Sequence, residues 1–320
     1  MSSKTARLGG TASNVIVGKI GHGLMMMTWR NPPVSDEEAF ASLKAGMDDL
    51  PPGTKMFLNS GEFYGINPPS ANLELLARFF ERNPSYADKA FLSILGCSEA
   101  ALERKVNFIL AKLRGTKRLD LIEPARIIHG VSIEQSTRIM AKFIAQSKFD
   151  HIGLSEVRAD HGHPVSAVEI EVSPWSYTQE TKDVISTCEE LGIAVIAYSP
   201  LGHGFLAGKW RSYNDLENTD ITPADNMLRQ FSRFQRDNFN HNLALASALN
   251  AIATKKGITA AQLCIAWVSS LGPNVVPIPG SSYVARTLEN CASGNIELTA
   301  EDLEEISNAM SVYTVRGTRY

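Results

Sequence analysis

The sequence predicts a (β/α)8 barrel. Three observations carry the prediction. Eight short apolar runs alternate along the chain with amphipathic stretches, which implies parallel strands with helices outside them. The chain has 320 residues, the right size for eight such units. No GxGxxG turn follows the first apolar run, which makes a doubly wound open sheet the weaker alternative.

The predicted strands are 20–26, 55–60, 90–96, 119–126, 151–156, 167–173, 194–200 and 275–280. The predicted helices are 35–47, 71–80, 99–113, 133–146, 179–191 and 259–271. Their apolar residues recur at helical spacing, as Ile139, Phe143 and Ile144 do. A short hairpin around 15–20 is expected to plug the barrel floor. The third and fifth crossovers read as shortened. In the fifth, only residues 157–166 separate two strands, a minimal connection. Segment 211–225 is polar and irregular, either a lid or surface. No linker interrupts the chain, so a single domain is expected.

Composition excludes several classes. Hydrophobic residues make up 44% and charged residues 20%, with a formal net charge of -3. That is an ordinary globular balance, with no basic surplus for nucleic acid. No apolar run reaches the roughly 18 residues of a membrane span. Residues 1–10 lack a signal-peptide core, so a cytoplasmic address is expected. Cys97, Cys188, Cys264 and Cys291 are scattered and read as buried free thiols. His161-Gly162-His163 looks metal-like but lacks further ligands at suitable spacing, so it reads as a surface loop with no metal.

In such a barrel the active site sits at the C-terminal ends of the strands. The last strand, Val275-Val276-Pro277-Ile278, runs into Pro279-Gly280-Ser281-Ser282, and a helix carrying Arg286 in its second turn is expected to follow. Hydroxyls, free amides at a helix N-terminus and an arginine make an anion site. The other strand ends hold Asn59-Ser60-Gly61-Glu62-Phe63-Tyr64-Gly65, Leu95-Gly96-Cys97, Glu123-Pro124-Ala125-Arg126, Ser155-Glu156, Glu169 with Glu171, and Tyr198-Ser199-Pro200-Leu201-Gly202.

In this order the strand ends resemble those of the aldo-keto reductases, and more narrowly the fungal pyridoxal-reductase-like branch. The segments that carry the resemblance are the Asn59–Gly65 loop, Leu119-Asp120-Leu121 with Pro124-Ala125-Arg126, Ile152-Gly153-Leu154-Ser155-Glu156, Ala167-Val168-Glu169-Ile170-Glu171, Ala197–Gly202 and Ile278–Ser282 with Arg286, Glu289 and Asn290. The resemblance implies a barrel that binds NADP(H) without a Rossmann fold and reduces a small-molecule aldehyde or ketone. It implies that Tyr198 stacks on the nicotinamide and that Ser155 and Glu169 meet its carboxamide. Ser199, Leu201 and Gly202 would follow the pyrophosphate. Ser281, Ser282 and Arg286 would hold the 2′-phosphate, with Glu289 and Asn290 near the adenine.

Tyr64 matches the family's proton donor, with Asn59 beside it. The family tunes that tyrosine with a lysine, an aspartate and a histidine, and here the three positions read Leu95, Asn59 and Ala125. Asparagine and alanine also occur in the branch; the leucine departs from it. A tyrosine with an ordinary pKa near 10 then donates its proton with less assistance. Two other functions fit this pattern: an NADPH-binding regulatory or complex subunit, and a barrel repurposed for a non-redox step. Glu156 and Glu169 also read as structural carboxylates, and His203 as a residue able to contact the ligand.

Overall fold

The computed structural model describes residues 5–96, 102–124, 133–155, 165–218 and 227–318. Cys97, Ala125, Arg126, Glu156, His161 and His163 lie outside them.

Eight parallel strands form one sheet in chain order: β3 (His22–Gly23), β4 (Met56–Gly61), β5 (Ala90–Leu95), β6 (Leu121–Glu123), β7 (His151–Ser155), β8 (Ala167–Glu171), β9 (Ala194–Tyr198) and β10 (Val275–Pro277). First and last strands meet. Gly21 N–H donates to Pro277 O at 2.9 Å, Gly23 N–H to Pro279 O at 3.1 Å, and Gly23 bridges Gly280 in parallel. The sheet is therefore a closed barrel.

An antiparallel hairpin, β1 (Thr5–Arg7) and β2 (Ile16–Gly18), precedes it. Ala6, Leu8, Ala12 and Val17 pack under the lumen residues Phe57, Phe91, Leu121, Ala167, Ala194, Ile196 and Val276. Gly9 N–H donates to Ser166 O, and Lys19 Nζ donates to the carbonyls of Gly272, Pro273 and Val275. Ser166, Gly272 and Pro273 precede strands and Val275 opens one, so the hairpin seals the N-terminal face. The plug expected from the sequence is present, and the site is confined to the opposite face.

The helices form the outer layer: α1 (Met25–Thr28), α2 (Asp36–Asp48), α3 (Ala71–Arg82), α4 (Leu102–Leu113), α5 (Ile133–Ala145), α6 (Gln179–Glu190), α7 (Tyr213–Asn218), α8 (Arg236–Lys256), α9 (Ala260–Ser270), α10 (Val284–Ala292) and α11 (Ala300–Val312). Their starts are written in the sequence. Ser35 and Thr178 cap α2 and α6, and capping boxes Thr259/Gln262 and Thr299/Asp302 open α9 and α11. Apolar helix faces and outward strand residues merge into the main core, where Leu43, Leu76, Phe79, Ile109, Leu249 and Val268 are almost wholly buried.

The chain departs from the expected elements in three places. The first strand is cut to two residues because Met25–Thr28 turns into a helix. Two further helices, α8 and α11, were not expected from one helix per strand; both pack on the outer layer. Part of the polar segment 211–225 is helical, as α7. Among the described residues Cys188 and Cys264 are buried free thiols and Cys291 is half-buried. Burial pushes their thiols up, to about 11, 12 and 12 respectively. No helix among the described residues is long and apolar enough to cross a membrane.

Candidate active site

Side chains alternate between lumen and helix layer along each strand. Phe57, Phe91, Leu121 and Ala167 fill the lumen floor. Two residues further on, Asn59, Ser93, Glu123 and Glu169 form a polar tier above it. Another step brings Gly61, Leu95, Glu171 and, from β7 and β9, Ser155 and Tyr198 to the mouth. Strand stagger offsets these levels around the barrel: Gly61 pairs with Leu95, Leu95 with Glu123, Ser155 with Glu169 and Glu171 with Tyr198.

The polar tier is buried and acidic. Glu123 is 0% exposed and Glu169 3% exposed. Asn59 Nδ2 donates to Glu169 Oε2 at 2.5 Å, tying together strands that are far apart around the barrel. Ser93 Oγ donates to Glu123 Oε1 at 2.9 Å. Gly153 makes room for Glu123: a Cβ there would lie 2.5 Å from its Cγ. Burial raises the Glu123 carboxyl to about 7, and hydrogen bonds with Glu169 and Ser93 offset only part of that rise.

Tyr64 leans over this tier from the loop after β4. It is 7% exposed and packs against Trp29 and Phe63, with ring centroids 5.9 and 5.2 Å away. Thr28 Oγ1 donates to its carbonyl. Gly61 is required below the ring, because a Cβ there would come within 2.8 Å of it. The phenol is pushed well above its ordinary pKa, first by burial and then by the negative charges of Glu169 and Glu123. Leu95, half-buried at the mouth, supplies no opposing charge. The rim is completed by ion pairs: Arg233 with Glu171 at 3.5 Å and Lys105 with Glu62 at 2.6 Å.

Beyond Tyr198, which is half-buried, the backbone turns through left-handed conformations. Ser199 has φ 49°, Gly202 53°, His203 57° and Gly204 88°. Gly202 N–H bonds back to Ser199 O, and Gly204 N–H to Leu201 O. Non-glycine residues at positive φ are uncommon and cluster at ligand sites. Leu201 packs on the main core. His203 lies against Phe231 and Phe234.

At the end of the last strand, Tyr283 is the N-cap of α10 and offers no side-chain hydrogen bond to the helix. Arg286 lies in the first turn of this helix, one turn earlier than expected, exposed and 6.0 Å from the Tyr283 ring. Ser281 and Ser282 are buried, at 4% and 5% exposure. Their hydroxyls turn inward. Ser281 Oγ donates to Tyr283 O and accepts from Thr287 Oγ1, which in turn meets Ser42 Oγ at 2.7 Å, while Ser282 Oγ lies 3.5 Å from Met26 O. His22 Nε2 is 2.9 Å from Ser281 O. Glu289 accepts from Thr259 at 2.7 Å, and Asn290 is buried on the inner face of the helix.

Tyr64, Ser155 and Tyr198 thus stand at one mouth, with Asn59 and Glu169 in the buried tier. Ser199, Leu201 and Gly202 line the bend beside it, and Ser281, Ser282, Arg286, Glu289 and Asn290 lie at the start and along the length of α10. Two members of the polar tier, Ser93 and Glu123, read from the sequence only as parts of strand ends. Inward parity along β5 and β6 was the signal available for both. No group of His, Cys, Asp and Glu among the described residues could hold a metal ion.

Comparison with known proteins gives a consistent result. The profile of the aldo/keto reductase family matches residues 19–310. The protein named probable pyridoxal reductase 2 of Schizosaccharomyces pombe is 34% identical over 95% of this chain and 95% of its own length. The protein named probable aldo-keto reductase 1 of Glycine max is 31% identical over 95% of this chain and 88% of its own. Among solved structures, the glycerol dehydrogenase of Gluconobacter oxydans superposes with a TM-score of 0.80 at 20% identity, covering 99% of this chain and 98% of that one. An aldo-keto reductase of Klebsiella pneumoniae in complex with NADPH superposes with a TM-score of 0.71 at 20% identity, covering 100% and 98%.

Proposed function

The chain belongs to the aldo/keto reductase family, and from that premise we propose that it is an NADPH-dependent reductase of a small aldehyde or ketone, with Tyr64 as its proton donor. The observation that carries the reading is Tyr64 itself: a buried phenol at the barrel mouth, clamped by Gly61, Trp29 and Phe63 above a polar tier.

The residues present fit NADPH. The first-turn amides of α10 lack a side-chain cap and stand beside an exposed arginine, a donor set suited to a phosphate. Arg286 and these amides hold the 2′-phosphate, and Ser281 and Ser282 shape the turn, their hydroxyls being engaged within the protein. The left-handed run through Ser199 and Gly202, with Leu201 behind it, takes the pyrophosphate. Tyr198 stacks on the nicotinamide, and Ser155 and Glu169 bind its carboxamide. Glu289 and Asn290 flank the adenine. When bound, NADPH supplies a hydride to the carbonyl carbon as the C=O electron pair collects on oxygen. Tyr64 donates its hydroxyl to that oxygen and gives up its proton as the negative charge builds. Trp29 and Phe63 exclude water from the contact.

The fungal relative supports a pyridoxal-like substrate, and a specialised-metabolite carbonyl fits equally well. Purified protein should consume NADPH with members of a carbonyl panel that includes pyridoxal. Tight NADPH binding with no turnover on any carbonyl would overturn the reading in favour of a regulatory or complex subunit. Leu95 at the lysine position, and the two carboxyls that oppose ionisation of Tyr64, favour that second reading.

A further inference from the structure

We infer that Glu123 and Glu169 hold a single proton between them and that this pair, not solvent directly, restores the proton Tyr64 gives up during reduction. The inference rests on Tyr64 acting as the acid.

Geometry carries it. Glu123 is fully buried, and its Oε2 has no hydrogen-bond donor among the described residues. Its Oε1 accepts from Ser93 Oγ, and Glu169 Oε2 accepts from Asn59 Nδ2. Asn59 and Ser93, the donors to the two carboxyls, pair in register on β4 and β5, and the negative charges of both carboxyls act on the Tyr64 phenol. Two ionised carboxylates are acceptors only and repel each other. They can hydrogen-bond only with a proton between them. The near-neutral titration of Glu123 agrees with such a pair, and it belongs to the pair rather than to either residue. Around the pair stand Asn59 on β4, Tyr64 on the following loop, Ser93 on β5 and Gly153 on β7. The other charged groups described at this rim, Glu171 and Glu62, are matched by Arg233 and Lys105.

The proton balance follows. The Tyr64 O–H bond breaks as an O–H bond forms on the substrate oxygen. The tyrosinate left behind is a strong base in this buried acidic setting. It takes the shared proton, and both carboxyls become ionised. One solvent proton then restores the pair, so one proton is consumed per carbonyl reduced. No electrons move in these steps. The arrangement also explains how a site with leucine at the lysine position recharges its acid.

The test uses Glu123→Gln, which keeps shape and offers a permanent N–H to Glu169, and Ser93→Ala, which removes one bond to the ionised form. In the wild-type protein without cofactor, infrared titration should show a protonated carboxyl persisting to near neutral pH. Glu123→Gln should lose that signal, and Ser93→Ala should move it to higher pH. In turnover, kcat of Glu123→Gln should fall about tenfold, below the usual contribution of a general acid, with KM for the carbonyl unchanged. The decline of kcat above neutrality should vanish in Glu123→Gln and move upward in Ser93→Ala. An infrared signal that is absent, or unaltered by Glu123→Gln, overturns the shared proton. A signal that behaves as expected while the pH profiles coincide shows a purely structural proton and overturns its use. If the wild type binds NADPH but reduces nothing, the reductase reading fails and the use of the proton with it, while the infrared arm still decides the sharing.

Discussion

The two ends of the candidate groove are built from different materials. At the α10 end the groups proposed to bind are backbone amides, a run of left-handed residues and one exposed arginine. The serine hydroxyls there are engaged within the protein, Ser281 through Thr287 to Ser42 and Ser282 toward Met26 O. At the Tyr64 end the groups are buried side chains whose protonation depends on one another. Backbone donors keep their charge and position at any pH, and a surface arginine stays ionised. Buried carboxyls and phenols do neither without help. One end is therefore suited to constant affinity, and the other to a response that changes with proton count.

That contrast can be broken at either end. The largest effect should come from Tyr64→Phe, which keeps the ring against Trp29 and Phe63 and removes only the acid. Turnover should drop about 10²–10⁴-fold with NADPH affinity unchanged, measured by steady-state kinetics and by fluorescence titration. A loss of affinity of similar size would mean the two ends are not separate. Next is Arg286→Ala. Removal of a charge-assisted bond of about 1.5–3 kcal/mol should weaken NADPH roughly 10–100-fold and leave NADH nearly untouched. Equal losses for both cofactors would remove the 2′-phosphate assignment.

Leu95→Lys sharpens the comparison from the catalytic side. Leu95 sits beside Gly61 and Glu123 in register, so an ammonium there opposes the two carboxyls and lowers the phenol. A rise in kcat of about tenfold is expected, since proton donation improves as the donor approaches the working pH. An unchanged or lower rate would mean the tier has been rebuilt around leucine. The smallest effect is on stability. Glu123 titrates near 7 in the folded protein and from 4.5 in its reference state. The folded state thus keeps an extra proton between these values. Stability from this group is complete below pH 4.5 and is lost as pH rises through 7. Melting curves of wild type and Glu123→Gln should therefore diverge in slope across that window, the wild type falling more steeply.

Much of the barrel was legible because its signals are local. Runs such as Met56–Gly61 and Ala194–Tyr198 are apolar over a strand's length, and Ser35, Thr178 and Thr259 announce the helices they cap. Helix α8 escaped because it lies outside the strand–helix period, although its alanine- and leucine-rich stretch favours a helix. The first strand was overextended because Met25, Met26 and Met27 are apolar in either conformation. At the site, Tyr64, Asn59, Glu169 and Tyr198 could be named from the strand ends, because side-chain parity along a strand is a local property. The inward-turned hydroxyls of Ser281 and Ser282 were not foreseen, since their partners Thr287 and Met26 are set by packing.

The amino-acid sequence by itself determined the barrel, its plug and the family, because hydrophobic period, capping and strand-end chemistry are local properties. Only the tertiary structure decided which residues act on one another. Asn59 and Glu169 are 110 positions apart yet share a hydrogen bond, and Glu123 acquires its near-neutral titration only when closure of the sheet removes it from water. Desolvation and charge coupling depend on distance in space. They appear when the strands close around them.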